Sequence, residues 1–271
     1  MNDLSPEAFA AILAWSIKHA PRRVAEAVDA TDGATDWLRR TAHALSNYVA
    51  GAPLGYVMGE ARYLGRMFRC DLRALAIRPY NELIVRKIIT DWAGRRPSVL
   101  EVGCGAGASI ISLALELAGE FTGTDIDSAA LELARENATA LGASLQLFQS
   151  DLFAAVNGEF DVIVANLPRE DPERVLPEAA WEPDHALYDR TGVRLGLIRQ
   201  FLAEAPRRLK PNGFIYLEVP TDPEQQAYFV GEELALPNGE VVGRKMTARQ
   251  AIKSAARIRG PALDTAQHSE G

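Results

Sequence analysis

The sequence predicts an α/β protein with a doubly wound, mostly parallel sheet and a small N-terminal helical domain. The prediction rests on two features of the 271-residue chain. From Ser98 onward, short apolar strands alternate with helical segments, a rhythm typical of a parallel sheet covered by helices on both faces. Before residue 53, apolar residues instead recur at helical spacing. This length suits one α/β domain with a smaller companion.

Residues 1–52 are expected to form the N-terminal helical domain. The segments SPEAFAAILAWSIKHA and ATDWLRRTAHALSNYVA have helical spacing, and Pro21 begins another helix between them. Short helices with apolar faces need a surface that buries them. The domain could therefore serve as a docking surface, as a lid, or as the interface of a homodimer.

Residues 53–80 are interpreted as a connector that contains a β-hairpin. The segment ARYLGRMFRCDLRALAI alternates in polarity and turns near Gly65, and Pro79 begins a further helix. Residues 81–260 are then expected to form the sheet domain. Residues 261–271 are small and polar, and we expect a flexible tail there.

Five strands are expected in the sheet domain, with crossover helices between them. The helices are placed at residues 108–118, 129–141 and 192–209, and right-handed crossovers through them give a doubly wound sheet. The strands are VLEVG, FTGTD, LQLFQ, FDVIVAN and GFIYLEV.

Composition excludes several classes of function. The formal net charge of −7 disfavours a nucleic-acid partner, and the basic clusters are short. No apolar run approaches the roughly 18 residues of a membrane span, and the first ten residues resemble neither a secretory signal nor a transit peptide. A cytoplasmic location is expected. With only Cys70 and Cys104 and four histidines, neither a disulfide framework nor a metal site is expected.

A glycine-rich turn follows the first strand of the sheet domain. The segment VLEVGCGAGASI places Glu101, Gly103, Gly105 and Gly107 where that strand passes into its helix, and a ligand can lie against backbone there. A dinucleotide site is the nearest alternative, but its usual third glycine position is Ala108. The acidic Glu101 would repel a pyrophosphate and suits a ligand with cationic groups.

Acidic residues end the next two strands. Asp125 lies where a carboxylate can accept hydrogen bonds from both hydroxyls of a ribose, and Asp151 lies where it can receive an adenine amino group, with Leu152 or Phe153 near the ring. Together these features favour S-adenosylmethionine as the cofactor. The predicted cofactor-binding residues are Glu101, Gly103, Gly105, Gly107, Asp125, Ile126, Asp151, Leu152 and Asn166.

Three further segments resemble one family, the N5-glutamine methyltransferases that modify the Gly-Gly-Gln loop of peptide-chain release factors. They are PLGYVMGEARYLGRMF, AIRPYNELIV and EPDHALYDRTGV, and the resemblance covers roughly residues 50–220. It implies a Rossmann-like class I methyltransferase fold, S-adenosylmethionine as cofactor, and a catalytic motif after the fourth strand. In the AIRPYNELIV segment, Tyr80-Asn81-Glu82 keeps only Glu82 of the family's acidic triplet.

The catalytic motif departs from the family pattern. Where the family has Asn-Pro-Pro-Tyr, this chain has Asn166-Leu167-Pro168-Arg169. The resemblance implies that the Asn166 side-chain oxygen and the Leu167 carbonyl accept hydrogen bonds from the target NH2 group. Pro168 favours an extended Leu167. Arg169 cannot replace the aromatic ring in kind.

The departure from the motif directs attention to other planar nitrogens as methyl acceptors. Such a nitrogen shares its lone pair with a π-system, so its N–H groups must be held by acceptors and aligned with the departing sulfur. The loop after Asn166 is rich in charge, with Arg169, Glu170, Asp171, Glu173 and Glu182. Carboxylates there could hold a guanidinium, and Glu170 and Glu182 are the candidates to draw off its proton.

The leading substrate hypothesis is therefore the guanidino group of a free amino acid, specifically L-arginine. A small-molecule substrate is favoured over a protein, with Asn166, Leu167, Pro168, Glu170 and Glu182 as the catalytic set. Two alternatives stay open. One is the family's own substrate, the glutamine of a release factor, and the other is a protein that binds S-adenosylmethionine without catalysis.

Overall fold

The computed structural model describes residues 51–173 and 180–258. Nearly all of the predicted N-terminal helical domain, the flexible tail after residue 260, and the homodimer interface expected through the N-terminal helices lie outside the described residues. Within the described ranges, no helix has both the length and the apolar character needed to cross a membrane.

A short helix and a β-hairpin precede the sheet domain. Helix α1 spans Leu54–Met58, and strands β1 (Glu60–Tyr63) and β2 (Arg66–Arg69) pair antiparallel. The hairpin turns at Leu64 and Gly65, which both have positive φ, at the place the sequence predicts. Tyr63 and Phe68 are fully buried and meet edge to face, so the hairpin is part of the core rather than a loose linker.

The sheet has seven strands in the order β5-β4-β3-β6-β7-β9-β8. Strands β3 to β7 are parallel to one another, whereas β9 is antiparallel to β7 and β8 is antiparallel to β9. The predicted doubly wound class is confirmed. The strands are β3 (Ser98–Val102), β4 (Glu120–Asp125), β5 (Gln146–Gln149), β6 (Phe160–Ala165), β7 (Leu209–Glu218), β8 (Glu232–Ala235) and β9 (Val241–Met246).

The helices lie on both faces of the sheet. They are α2 (Glu82–Trp92), α3 (Ala108–Glu116), α4 (Ser128–Leu141), α5 (Asp184–Leu187), α6 (Gly196–Glu204), α7 (Pro223–Gln226) and α8 (Ala248–Arg257), with 3-10 turns at Pro79–Asn81 and Ala205–Arg208. The helix predicted at residues 192–209 is shorter in the structure, where α6 spans only Gly196–Glu204. Asp189 accepts from the Leu197 amide at its start, and Pro206, which lacks an N–H, lies in the 3-10 turn that follows it.

The apolar core lies in two layers, one on each face of the sheet. Leu100 and Val102 of β3 belong to the layer that contains Phe201 of α6, whereas Val99 belongs to the layer that contains Ile88 of α2. This alternation follows from the twofold side-chain period of a strand. Because both faces are covered, polar ligands can reach the sheet only at its ends.

Candidate functional site

A cavity of about 320 Å³ lies at the carboxyl ends of the central parallel strands. A smaller cavity of about 210 Å³ adjoins it, and the two share Asn166, Leu167 and Pro168 in their walls. This is the edge where the order of the strands reverses, because β3 is followed in sequence by β4 on one side and paired with β6 on the other. Ligands of open α/β sheets bind at such a switch point.

The glycine turn after β3 forms the floor of the larger cavity. Gly103 and Gly105 have φ values of +74° and +53°, which a residue with a Cβ rarely adopts. The amides of Gly103 and Cys104 both donate to the Thr124 carbonyl at 2.8 Å, which fixes the turn against β4. Bare backbone is therefore presented to a ligand.

Gly107 does not line the cavity, although the sequence analysis placed it among the cofactor-binding residues. A Cβ on Gly107 would lie 2.8 Å from the Ile111 Cδ1 atom and 3.1 Å from the Ala134 Cβ atom. Its φ is +81°, and it immediately precedes α3. Gly107 thus allows α3 and α4 to approach closely, and its predicted contact with the cofactor stays a prediction.

Glu101 is buried beneath the glycine turn. Its Oε2 atom accepts a hydrogen bond from the Ile110 amide at 2.9 Å, in the first turn of α3. Burial raises the pKa of Glu101 to about 8, despite that bond and a second from Ser109. The Glu101 carboxyl occupies the helix N-terminus that a pyrophosphate would need. An acidic group at this position favours a ligand with cationic groups instead.

Asp125 ends β4 with both carboxylate oxygens directed by backbone amides. The Oδ2 atom accepts from the Gly105 amide at 2.8 Å and the Oδ1 atom from the Asp127 amide at 3.0 Å. Burial raises the pKa of Asp125, and those two bonds oppose the rise. The neighbouring Ile126 is 54% exposed at the cavity, an apolar surface beside a fixed acceptor.

Asp151 and Leu152 follow β5 at the other wall of the cavity. Leu152 has a φ of +45°, and its carbonyl accepts from the Ser150 hydroxyl at 3.0 Å. Phe153, which the sequence offered as an alternative to Leu152, instead stacks on Phe201 with ring centroids 5.5 Å apart. It belongs to the core, so only Leu152 remains to contact a ligand.

The donor and acceptor set fits S-adenosylmethionine. The bare glycine turn admits an extended ligand, and Asp125 and Asp151 offer acceptors to ribose hydroxyls and an adenine amino group. Ile126 and Leu152 add apolar surface at the same cavity, and Glu101 complements positive charge. No group of three His, Cys, Asp or Glu side chains suited to a metal ion is found in the described ranges.

Asn166 stands directly after β6, where the two cavities meet. Its Oδ1 atom accepts a hydrogen bond from the Arg169 Nη1 atom at 3.0 Å. Arg169 Nη2 in turn donates to the Glu218 Oε1 atom at 2.8 Å, and the Tyr80 hydroxyl lies close enough to both to shift their pKa values. The predicted catalytic amide is therefore held by a charged pair that the sequence did not reveal.

Leu167 and Pro168 continue the wall between the cavities. The Leu167 side chain is buried, and its Cδ2 atom lies 3.3 Å from where a Cβ of Gly103 would stand. Its carbonyl accepts no hydrogen bond from the part of the chain that the structure describes. A role for this carbonyl as acceptor of a substrate N–H group stays a prediction.

Glu182 is not a free carboxylate. Its side chain is completely buried, with Oε2 accepting from Arg78 Nη2 at 2.6 Å and Oε1 from the Ala76 amide at 2.9 Å. Arg78 therefore already binds the Glu182 carboxylate, which the sequence predicts as a proton acceptor. Glu170 lines the smaller cavity, and its backbone amide and carbonyl bind the segment at Leu187 and Asp189.

Sequence reasoning missed Arg78, Tyr80 and Glu218 as members of the site. Arg78 and Tyr80 line both cavities, and Glu218 holds Arg169. Glu218 could have been predicted as a site residue, because it is the acidic residue near the end of the apolar segment GFIYLEV, at the ligand-binding edge of the sheet. Its partner, however, lies 49 positions away in the chain.

Comparison with known proteins agrees with this geometry. Residues 99–181 match the family model described as a methyltransferase domain. The chain is 33% identical to the release factor glutamine methyltransferase of Deinococcus radiodurans over 216 residues, which cover 78% of this chain and 77% of that protein. It is 31% identical to the protein of the same name from Bordetella pertussis over 254 residues, covering 91% and 88%.

A solved structure shows the same fold. The T. thermophilus 16S rRNA N2 G1207 methyltransferase, in complex with AdoMet and guanosine, aligns with a TM-score of 0.50 and 23% identity. The alignment covers 69% of this chain and 49% of that chain. The likeness extends to the architecture of the sheet and its helices.

Proposed function

The chain belongs to the release factor glutamine methyltransferase family and is an S-adenosylmethionine-dependent methyltransferase, and from this premise we propose that it methylates a glutamine side-chain nitrogen in a peptide-chain release factor. The expected substrate of the sequence analysis, free L-arginine, is less well supported. The relatives carry the name of the alternative that the resemblance implied.

The main support for this proposal is that the charged side chains around the smaller cavity are already paired with one another. Two buried carboxylates stand near Asn166, and each already has an arginine partner: Glu182 pairs with Arg78, and Glu218 pairs with Arg169. A substrate guanidinium would meet these two arginines in the wall of the smaller cavity, and repulsion between like charges would disfavour it. A neutral carboxamide brings no charge into the cavity.

The acceptors at the cavity junction suit a carboxamide. An amide NH2 group has two N–H donors, and its nitrogen lone pair is delocalised into the carbonyl. Asn166 Oδ1 and the Leu167 carbonyl supply two acceptors for those donors at the boundary between the cavities. Held in this way, the nitrogen faces the larger cavity, and positioning accounts for most of the rate gain.

The larger cavity accounts for the cofactor. Asp125, Asp151, Ile126 and Leu152 line this cavity and would hold the adenosine portion of the cofactor, while the glycine turn would present bare backbone to it and Glu101 would complement its positive charge. Bound there, S-adenosylmethionine supplies a methyl group on a cationic sulfur. Methyl transfer would form an N–C bond as the C–S bond breaks, and the amide nitrogen would then lose an N–H proton to water. Asn166 Oδ1 stabilises that N–H while the charge develops.

The test is transfer of a radioactive methyl group from S-adenosylmethionine to three acceptors in parallel: a release factor, free L-arginine and free L-glutamine. We expect label only in the release factor. A release factor whose Gly-Gly-Gln glutamine is changed to alanine is the matched control and should stay unlabelled.

Two other results would count against the proposal. Label in free arginine would restore the substrate hypothesis built on the charged loop. Tight binding of S-adenosylmethionine with no transfer to any acceptor would favour a binding protein without catalysis.

A further inference from the structure

We infer that Arg169 is a positioning residue, which fixes the side-chain amide of Asn166 so that its oxygen can accept a hydrogen bond from the substrate nitrogen. The inference rests on the proposed function for the identity of that substrate. Its structural part, the hold of Arg169 on Asn166, stands on contacts within the chain.

The two ends of the Asn166 side-chain amide are not equivalent toward the substrate. An asparagine carboxamide has a donor end and an acceptor end of almost equal size, and only the acceptor end can hold a substrate N–H. Arg169 carries donors alone, and its Nη1 atom lies 3.0 Å from Asn166 Oδ1. A flipped amide would set an NH2 group against the guanidinium, so Arg169 selects one orientation.

Arg169 orients the Asn166 oxygen without using all of its capacity to accept hydrogen bonds. A carbonyl oxygen has two lone pairs, so one bond from Nη1 leaves a second position open. Arg169 itself is tied elsewhere, with Nη2 bonded to Glu218 at 2.8 Å and Tyr80 beside both. Its guanidinium is therefore a fixed part of the wall.

The positive charge of Arg169 is balanced by the carboxylate of Glu218. A bare cation beside Asn166 would oppose the positive charge that passes to the substrate nitrogen. Glu218 is 1% exposed and faces the guanidinium directly, so the pair is close to neutral as seen from the cavity. Burial works to lower the pKa of Arg169, but Glu218 and Tyr80 outweigh it and raise that pKa above the ordinary value.

An arginine suits this position because it can bridge two neighbouring strands. Asn166 follows β6 and Glu218 ends β7, and these strands are neighbours in the sheet. The planar guanidinium presents several N–H donors in a rigid fork, so it bridges acceptors on both strands at once. A lysine ammonium can reach either acceptor but has no such fork.

The variants separate positioning from folding. Arg169→Met alone would leave Glu218 buried without a partner, which destabilises a fold. Glu218→Gln is therefore made first as a parent that keeps an acceptor for Nη2, and Arg169→Met is added to it. Arg169→Lys serves as the conservative variant. Arg244→Met is the matched control, because Arg244 is also buried and ion-paired but lines neither cavity.

Two measurements are made on each protein. The first is the pair of side-chain amide signals of Asn166 in a ¹H–¹⁵N spectrum, assigned by their loss in Asn166→Ala. The second is kcat and KM with the release factor, together with the Kd for S-adenosylmethionine. We expect the double variant to lose the distinct Asn166 signals and to lower kcat about 100-fold relative to Glu218→Gln, with the cofactor Kd unchanged. Arg169→Lys should fall between, and Arg244→Met should match the wild type.

Unchanged Asn166 signals in the double variant would overturn the inference, and so would a rise in kcat, because a rise means that Arg169 obstructs the acceptor. If the wild-type chain does not methylate the release factor, the proposed function fails. The Asn166 spectrum still decides the positioning inference in that case, because it needs no substrate.

Discussion

At the scale of single residues, Asn166 and Arg169 show what the sequence could and could not reveal. Asn166 was predicted as the acceptor for the substrate because it follows a strand with the catalytic asparagine and second proline of the family in place. The role of Arg169 was not predictable, because its partner Glu218 is close only after β6 and β7 pair. Glu182 was expected to be free for the same reason, since nothing local shows that Arg78 reaches it.

Glu101 leads to a prediction about pH. Its pKa in the folded, unliganded chain is about 8, above its ordinary value of 4.5, because burial penalises the charged form. The cationic groups of S-adenosylmethionine favour the charged form, so cofactor binding near pH 7 should release protons. Isothermal titration calorimetry at pH 7 in two buffers of different ionisation enthalpy measures this release, and Glu101→Gln should abolish it.

The same pKa shift fixes the sign of a stability effect. Between pH 4.5 and 8 the folded chain keeps a proton on Glu101 that the unfolded chain has released, so the stability from this group is complete below pH 4.5 and is lost as pH rises through 8. Glu101→Gln should therefore show a smaller decline in unfolding free energy over that range. An equal decline in both proteins, measured by urea unfolding, would show that Glu101 titrates normally.

At the scale of elements, the parallel strands were predictable and the antiparallel pair was not. Strands β3 to β7 are apolar runs with helical segments between most of them. Strand β8 has the sequence EELA with only Leu234 buried, so its composition carries no strand signal. Strand β9 contains Gly243 and Arg244, and it is held as a strand because it pairs with β7 on one side and β8 on the other.

The contact between α3 and α4 leads to a prediction about Gly107. Gly107→Ala should destabilise the fold by about 2 to 3 kcal/mol, since the new methyl meets both helices and the backbone conformation is unfavourable for alanine. Gly142→Ala is the control, because Gly142 has a similar φ of +70° but no atom within 4 Å of the new methyl. Urea unfolding midpoints compare the two. An equal loss would mean that backbone strain alone matters at Gly107.

The attachment of the hairpin to α4 leads to a prediction about Asn137. This buried side chain accepts from the Arg69 amide at 2.7 Å and donates to the carbonyls of Arg69 and Ala106 at 3.1 and 3.0 Å. Asn137→Ala leaves these backbone groups unsatisfied and should cost about 2 to 3 kcal/mol of stability. The exposed Asn157→Ala should change stability by less than about 0.5 kcal/mol in the same urea titration. A similar small loss for Asn137→Ala would show that water replaces its bonds.

At the scale of the whole molecule, the fold and the cofactor site follow from ordinary rules of α/β sheets, whereas the substrate depends on a charge balance. The carboxyl ends of parallel strands gather Glu101, Asp125, Asp151 and Asn166 at one edge, and each was predicted from its place at or just beyond the end of a strand. The charged loop after Asn166 pointed to a guanidinium as long as its carboxylates were counted alone. Because Glu182 of this loop is paired with Arg78, and Arg169 of the loop is paired with Glu218, the smaller cavity favours a neutral amide.

The most direct test of that central claim is tandem mass spectrometry of the release factor after incubation with the protein and S-adenosylmethionine. We predict one added methyl group on the glutamine of the Gly-Gly-Gln peptide, with about 100-fold less product from Asn166→Ala because an essential acceptor is gone. A release factor that stays unmodified, while free arginine in the same mixture gains the methyl group, would contradict the account.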